Sequence, residues 1–140
     1  MSAELTEEAR RVLTSGRLAH LVTVDPDGSP QVSLVWVGLE GDRIVSAHMG
    51  AWRKVHNIRR DPRVSLSIEA AGRTENGLDH YLVVRGHAEV VEGGAAPLLQ
   101  RLAHVYLGPD VVFPGIDDPT LGYVVRITPD RVGGVGPWAL

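Results

Sequence analysis

The spacing of apolar residues along the chain changes several times, and each change marks an element. Leu5, Ala9, Val12 and Leu13 recur at helical spacing. Thr6 before Glu7 and Glu8, with Gly16 beyond, bounds a short amphipathic helix over 5–15. Residues 17–24 (RLAHLVTV) read as a strand, closed by the turn Asp25-Pro26-Asp27-Gly28. A second strand over 31–39 meets a third over 43–48 through Glu40-Gly41-Asp42, which predicts a hairpin. Ala51, Val55 and Ile58 share one face of a helix over 50–60. The Asp61-Pro62 step ends it, because a residue before proline disfavours the α region. Alternation resumes over 63–70 and, after a loop at 71–78, over 80–91. Leu98, Leu102 and Val105 predict a third helix over 97–107. The segment 108–120, with three prolines, reads as a loop, and 122–128 is the sixth strand. The tail GGVGPWAL is rich in glycine and carries an aromatic residue expected to be exposed.

Six short strands that meet mostly in hairpins, with three helices beside them, predict a mainly β fold with peripheral helices. The expected form is a six-stranded antiparallel barrel in one domain over 1–140. Strands and helices do not alternate regularly, which disfavours a doubly wound parallel sheet.

Composition narrows the chemistry. The chain has 140 residues, 44% hydrophobic and 22% charged, as an ordinary globular domain does. With no cysteine, it has no disulfide scaffold, thiolate metal site or cysteine nucleophile. A net charge of −3 argues against a nucleic-acid partner, which calls for a broad basic field. No apolar run reaches the length of a membrane span, and the start is polar and acidic, so the expected setting is cytoplasmic. The six histidines form no metal-ligating pair, so structural or surface roles are expected and no metal site is predicted.

Of the 14 basic residues only Lys54 is a lysine, and it sits in Trp-Arg-Lys-Val, which rules out a phosphate loop of the Gly-Lys-Ser/Thr kind. Gly133-Gly134-Val135-Gly136 has no room for the helix of a dinucleotide fingerprint, and no nucleophile elbow occurs. The informative stretch is Trp52 to Pro62. Arg59 and Arg60 suit the negative end of a helix dipole. Arg53 and Lys54 lie at the positive end, where free amides and two cations make an anion site, or else a pair of solvated surface cations. In the strand from Gln31 to Val37, Gln31, Ser33, Val35 and Val37 share one face, and Val32, Leu34 and Trp36 the other. Both faces carry sizeable apolar groups, which fits a ring ligand, a partner subunit or the two sides of a barrel wall.

Taken together, the turn Asp27-Gly28-Ser29-Pro30, the hairpin, and Lys54-x-x-Asn57-Ile58-x-x-Asp61-Pro62-x-Val64 resemble the pyridoxamine 5′-phosphate oxidase-like superfamily. These are split β-barrel binders of FMN and deazaflavin, and the likeness covers nearly the whole chain. Short length and a late Trp look most like the actinobacterial branch that uses coenzyme F420. The resemblance implies a homodimer with a cofactor in each interface cleft. It also implies that F420, with FMN as the alternative, gives a hydride to a conjugated small-molecule acceptor. Lys54 would bind the phosphate with Asn57 beside it, and Ser46 and Ala47 would sit near it. Gln31, Ser33 and Val35 would lie along the ring. Where many relatives have an arginine, this chain has Trp52, with Arg53 next to it. F420 also carries an anionic tail, for which Arg53, Lys54, Arg59, Arg60 and Arg63 form a candidate basic ridge. A non-catalytic flavin or tetrapyrrole carrier is the reading from another class.

Overall fold

Alternation along most strands turns one side of each toward a shared interior. In the computed structural model, which describes residues 2–112 and 118–139, that interior is enclosed by one antiparallel sheet. Its strands are β1 (Ala19–Val24), β2 (Pro30–Val35), β3 (Gly38–Glu40), β4 (Arg43–His48), β5 (Arg63–Arg73), β6 (Asp79–Glu92) and β7 (Tyr123–Val135). Their order across the sheet is β2-β1-β5-β6-β7-β4-β3. The main core gathers Leu21, Ile44, Leu66, Ile68, Leu82 and Ile127, all sealed from solvent.

Three helices cover the sheet. α1 (Glu7–Leu13) is capped by Thr6, whose Oγ1 accepts from the Ala9 amide at 3.2 Å, and it buries Ala9, Val12 and Leu13. α2 (Arg53–Arg60) packs on β1 and β6. α3 (Ala95–Tyr106) lies on β4 and β7, where Leu98 and Leu102 join Val45 and Val124 in a second apolar cluster. No helix among the described residues is long and apolar enough to cross a membrane.

The mainly β architecture matches the expectation, but the described residues form seven strands, not six. The run 31–39 divides at Trp36-Val37. Its first half pairs with β1, from Ala19↔Val35 to Val24↔Pro30. Its second half makes the short hairpin with β4, from Gly38↔Val45 to Glu40↔Arg43. β2 and β3 therefore stand at opposite ends of the sheet although two residues separate them in the chain. No ladder joins these two edges, so the sheet is open and not the closed six-stranded barrel expected. Tyr106 holds the seam from α3. Its hydroxyl accepts from the Val37 amide at 3.0 Å and donates to the Arg17 carbonyl at 2.7 Å.

The last strand also runs past its expected end, to Val135. Gly134 makes this possible: at φ 100° it lies against the Tyr81 carbonyl, where a side chain has no room. The following Trp138 is not exposed as expected. It keeps only 8% of its surface open and donates its indole N–H to the Tyr81 carbonyl at 3.0 Å. Of the expected loop 108–120, residues 113–117 lie outside the described residues.

Candidate functional site

The site forms where β4 hands over to α2. The chain leaves β4 at His48 and reaches Trp52, which caps α2 with backbone alone and no side-chain hydrogen bond. The Trp52 indole lies over Gly50, where a Cβ would come within 2.8 Å of the ring, and it stays 57% exposed. Val55 donates back to the Trp52 carbonyl, so the amides of Arg53 and Lys54 occupy the open end of the helix. No acidic residue stands in this first turn. A helix start without a carboxylate is poised for an outside anion.

Lys54 is half-buried, and no hydrogen bond or ion pair engages its ammonium among the described residues. Burial holds its pKa below the usual lysine value. It lines a groove of about 280 Å³ with Leu34, Val35, Trp36, Ala47, His48 and Leu99. Trp36 forms an aromatic wall, stacked on Tyr106 with centroids 5.2 Å apart and planes 13° apart. His48 is buried, and its Nε2 lies 2.8 Å from Ser46 Oγ. Burial, and then the Lys54 charge, pushes the His48 pKa down to about 4, so the ring is neutral at pH 7.

The other face of α2 borders a second groove, lined by Asp25, Asp27, Arg53, His56, Asn57 and Arg60. Arg53 pairs loosely with Asp25 at 3.8 Å. Asn57 is 1% exposed and fully used inside the chain. Its Nδ2 donates to Thr23 Oγ1 at 3.0 Å and to Asp25 Oδ1 at 2.9 Å, while its Oδ1 accepts from Arg60. Arg60 also donates to the Val24 carbonyl. Asn57 thus fixes α2 against the end of β1.

Of the nine residues singled out from sequence, Val35, Ala47 and Lys54 meet in the first groove, whereas Arg53 and Asn57 lie on the second. Trp52 stands at the helix start, and Ser46 is sealed beneath His48. Gln31 accepts from Thr23 at 2.8 Å and is tied to its own strand. Ser33 Oγ is sealed and has no hydrogen-bond partner, the one such buried side-chain atom among the described residues. The arginines of the basic ridge have partners within the chain. Arg59 pairs with Glu92 at 3.1 Å and lies over the Tyr123 ring, and Arg63 pairs with Asp61 at 2.7 Å. Glu92 reaches Arg59 from the end of β6, a pairing that sequence distance conceals, whereas Asp61 caps α2 two residues before Arg63. His48 and Leu99 are groove residues that the sequence reading did not single out, whereas Leu34 and Trp36 come from the apolar face of 31–37 that fitted a ring ligand, a partner or a barrel wall.

Residues 5–136 match the family profile of pyridoxamine 5′-phosphate oxidase. The chain belongs to this family. No curated protein matches it in sequence. Among solved structures, an F420 reductase is 27% identical with a TM-score of 0.73, the match covering 92% of this chain and 98% of that one. The conserved hypothetical protein Rv2991 of Mycobacterium tuberculosis is 28% identical with a TM-score of 0.74, over 95% and 85% of the two chains. HupZ of group A Streptococcus, at 18% identity and a TM-score of 0.66 over 96% and 97%, shares the fold. These likenesses put the chain among the flavin- and deazaflavin-type oxidoreductases of the pyridoxamine 5′-phosphate oxidase fold.

Proposed function

We propose that this chain is a homodimeric reductase that binds coenzyme F420 and serves the reduction of a conjugated, electron-poor small molecule such as a quinone, an enone or a biliverdin-like tetrapyrrole. The observation that carries the reading is Lys54, a half-buried cation without a partner at an uncapped helix start. A phosphate supplies the countercharge that the ammonium lacks. The groove fits the rest of such a ligand, with Trp36, Leu34, Val35 and Leu99 as apolar walls and Ala47 leaving space between them. When bound, the reduced deazaflavin supplies a hydride for the acceptor. The protein's part is to fix the phosphate with Lys54, orient the ring along β2, and exclude water. The likeness to an F420 reductase supports F420 as the cofactor.

The dimer rests on exposed apolar surface beside the groove. Val32, Leu34 and Trp52 are 56%, 55% and 57% open, and neighbouring exposed apolar groups mark an interaction face. A second copy placed there supplies the wall that an open groove lacks.

FMN is the second reading, and the paired arginines favour it. An anionic tail needs free cations near the phosphate, yet Arg59 and Arg63 are engaged by Glu92 and Asp61. Titration of apo protein with both cofactors, followed by turnover with an acceptor panel, separates the readings. Tighter F420 binding and acceptor reduction are expected. Tighter FMN binding transfers the activity to FMN, and binding without turnover makes the protein a carrier.

A further inference from the structure

β4 ends in Ser46-Ala47-His48, and the alternation of a strand places both polar side chains on one face. Ser46 is 1% exposed and His48 6%. The 2.8 Å bond between Ser46 Oγ and His48 Nε2 is the one side-chain hydrogen bond either makes among the described residues. Two protonation patterns can fill it. If the imidazole donated from Nε2, the serine hydroxyl proton would be left without an acceptor in a sealed site, and buried polar groups do not go unpaired cheaply. If the serine donates, Nε2 accepts and the ring proton sits on Nδ1. His48 Nδ1 has no partner among the described residues and is not sealed, and the ring lines the groove beside Lys54.

We propose that Ser46 locks His48 as the Nδ1–H tautomer, making it an uncharged hydrogen-bond donor that holds an anionic oxygen of the groove ligand together with Lys54. The assignment rests on the reading of this groove as the cofactor's phosphate site. A neutral donor suits the place. An imidazolium beside the Lys54 ammonium would add repulsion to the empty site, whereas the neutral ring adds a directed bond without a second charge. The groups around it agree. Lys54 faces it from α2, Leu99 from α3, and Tyr123 is its cross-strand neighbour on β7. None of these is a carboxylate that favours protonation. Ser46 is a positioning residue here, and His48 is the binding one.

The first test needs no ligand. Long-range proton–nitrogen correlation NMR on the apo protein at pH 7 should show His48 Nδ1 protonated and Nε2 bare. The opposite tautomer, or a rapidly exchanging mixture, overturns the proposal. Sulfate, which does not titrate in this range, is the second probe. Its affinity in His48→Leu should fall about tenfold. His48→Asn should recover most of it, because the Asn amide nitrogen stands near the Nδ1 position. His48→Gln, whose amide reaches toward Nε2, should not. Equal sulfate affinity in wild type and His48→Leu removes His48 from the site and leaves the cofactor reading standing. A wild-type protein that binds neither sulfate, FMN nor F420 removes both.

Discussion

Replacing Lys54 with methionine keeps the apolar stem and deletes the charge, which separates binding from stability. The ammonium makes no internal hydrogen bond or ion pair among the described residues, so the fold loses no partner. The apo protein should unfold within about 0.5 kcal/mol of wild type, the range of substitutions that break nothing. Cofactor binding should suffer. A hydrogen bond to a charged group contributes about 1.5–3 kcal/mol, which is roughly ten- to hundredfold in affinity. Lys54 is half-exposed, so solvent screening favours the lower part of that range.

The sign with pH follows from the lowered lysine pKa. Between that value and the ordinary 10.5, the unfolded chain binds more protons than the folded one. Apo stability therefore rises with pH across this window, and the slope disappears in the methionine variant. A bound anion draws the pKa back up, so wild-type binding at alkaline pH takes up a proton. Deleting the charge also relieves His48, whose pKa should climb only part of the way back, because burial is the larger cause of its depression. Tryptophan-fluorescence titrations and urea melts at pH 7 and pH 9.5 read all of this. Unchanged cofactor affinity, or a stability loss as large as the binding loss, would refute the assignment of Lys54 to a ligand.

Asn57→Ala should do the reverse, lowering apo stability by about 2–3 kcal/mol in urea melts as Thr23, Asp25 and Arg60 lose their shared partner. Tyr106→Phe removes the hydroxyl that bridges Val37 and Arg17, so about 1–2 kcal/mol of stability and the exchange protection of the Val37 amide should be lost. Wild-type stability should also fall by about 3 kcal/mol as pH drops from 6.5 toward 4, because unfolded His48 takes up a proton that the folded protein refuses. Asp27, Asp61 and Asp118, held below the usual carboxylate value of 3.8, act below that window, so His48→Asn should flatten the slope in melts above pH 4.

The elements were legible because they rest on local chemistry. Thr6 and the Asp61-Pro62 step bound their helices as the sequence predicts. Legibility failed at Trp36 and Val37, where nothing local says that one apolar run serves two edges of a sheet. The hydroxyl that stabilises the break belongs to Tyr106, far along the chain. Gly134 misled for a related reason. Glycine usually weakens a strand, but at this position the close approach of the Tyr81 carbonyl requires it. The basic ridge was legible as a count of charges, whereas its pairings were not, since Glu92 comes from the end of β6 to meet Arg59 on α2.

The motif Lys54-x-x-Asn57 shows what the fold adds to such a pattern. In sequence the two residues have equal standing as polar groups on a short helix. In the fold they are opposites. Each polar atom of Asn57 has a partner within the chain, so its contribution is to hold α2 in place, and a ligand would have to break those bonds to use it. Lys54 has been drawn half out of water and given nothing in return, a state that costs free energy until an anion arrives. His48 Nδ1 is in the same condition, and both residues line one groove. A polar group satisfied at home supports the site, and one left wanting beside its neighbours is where the ligand binds. That difference lies in the hydrogen-bond accounting of the folded chain, and no spacing rule contains it.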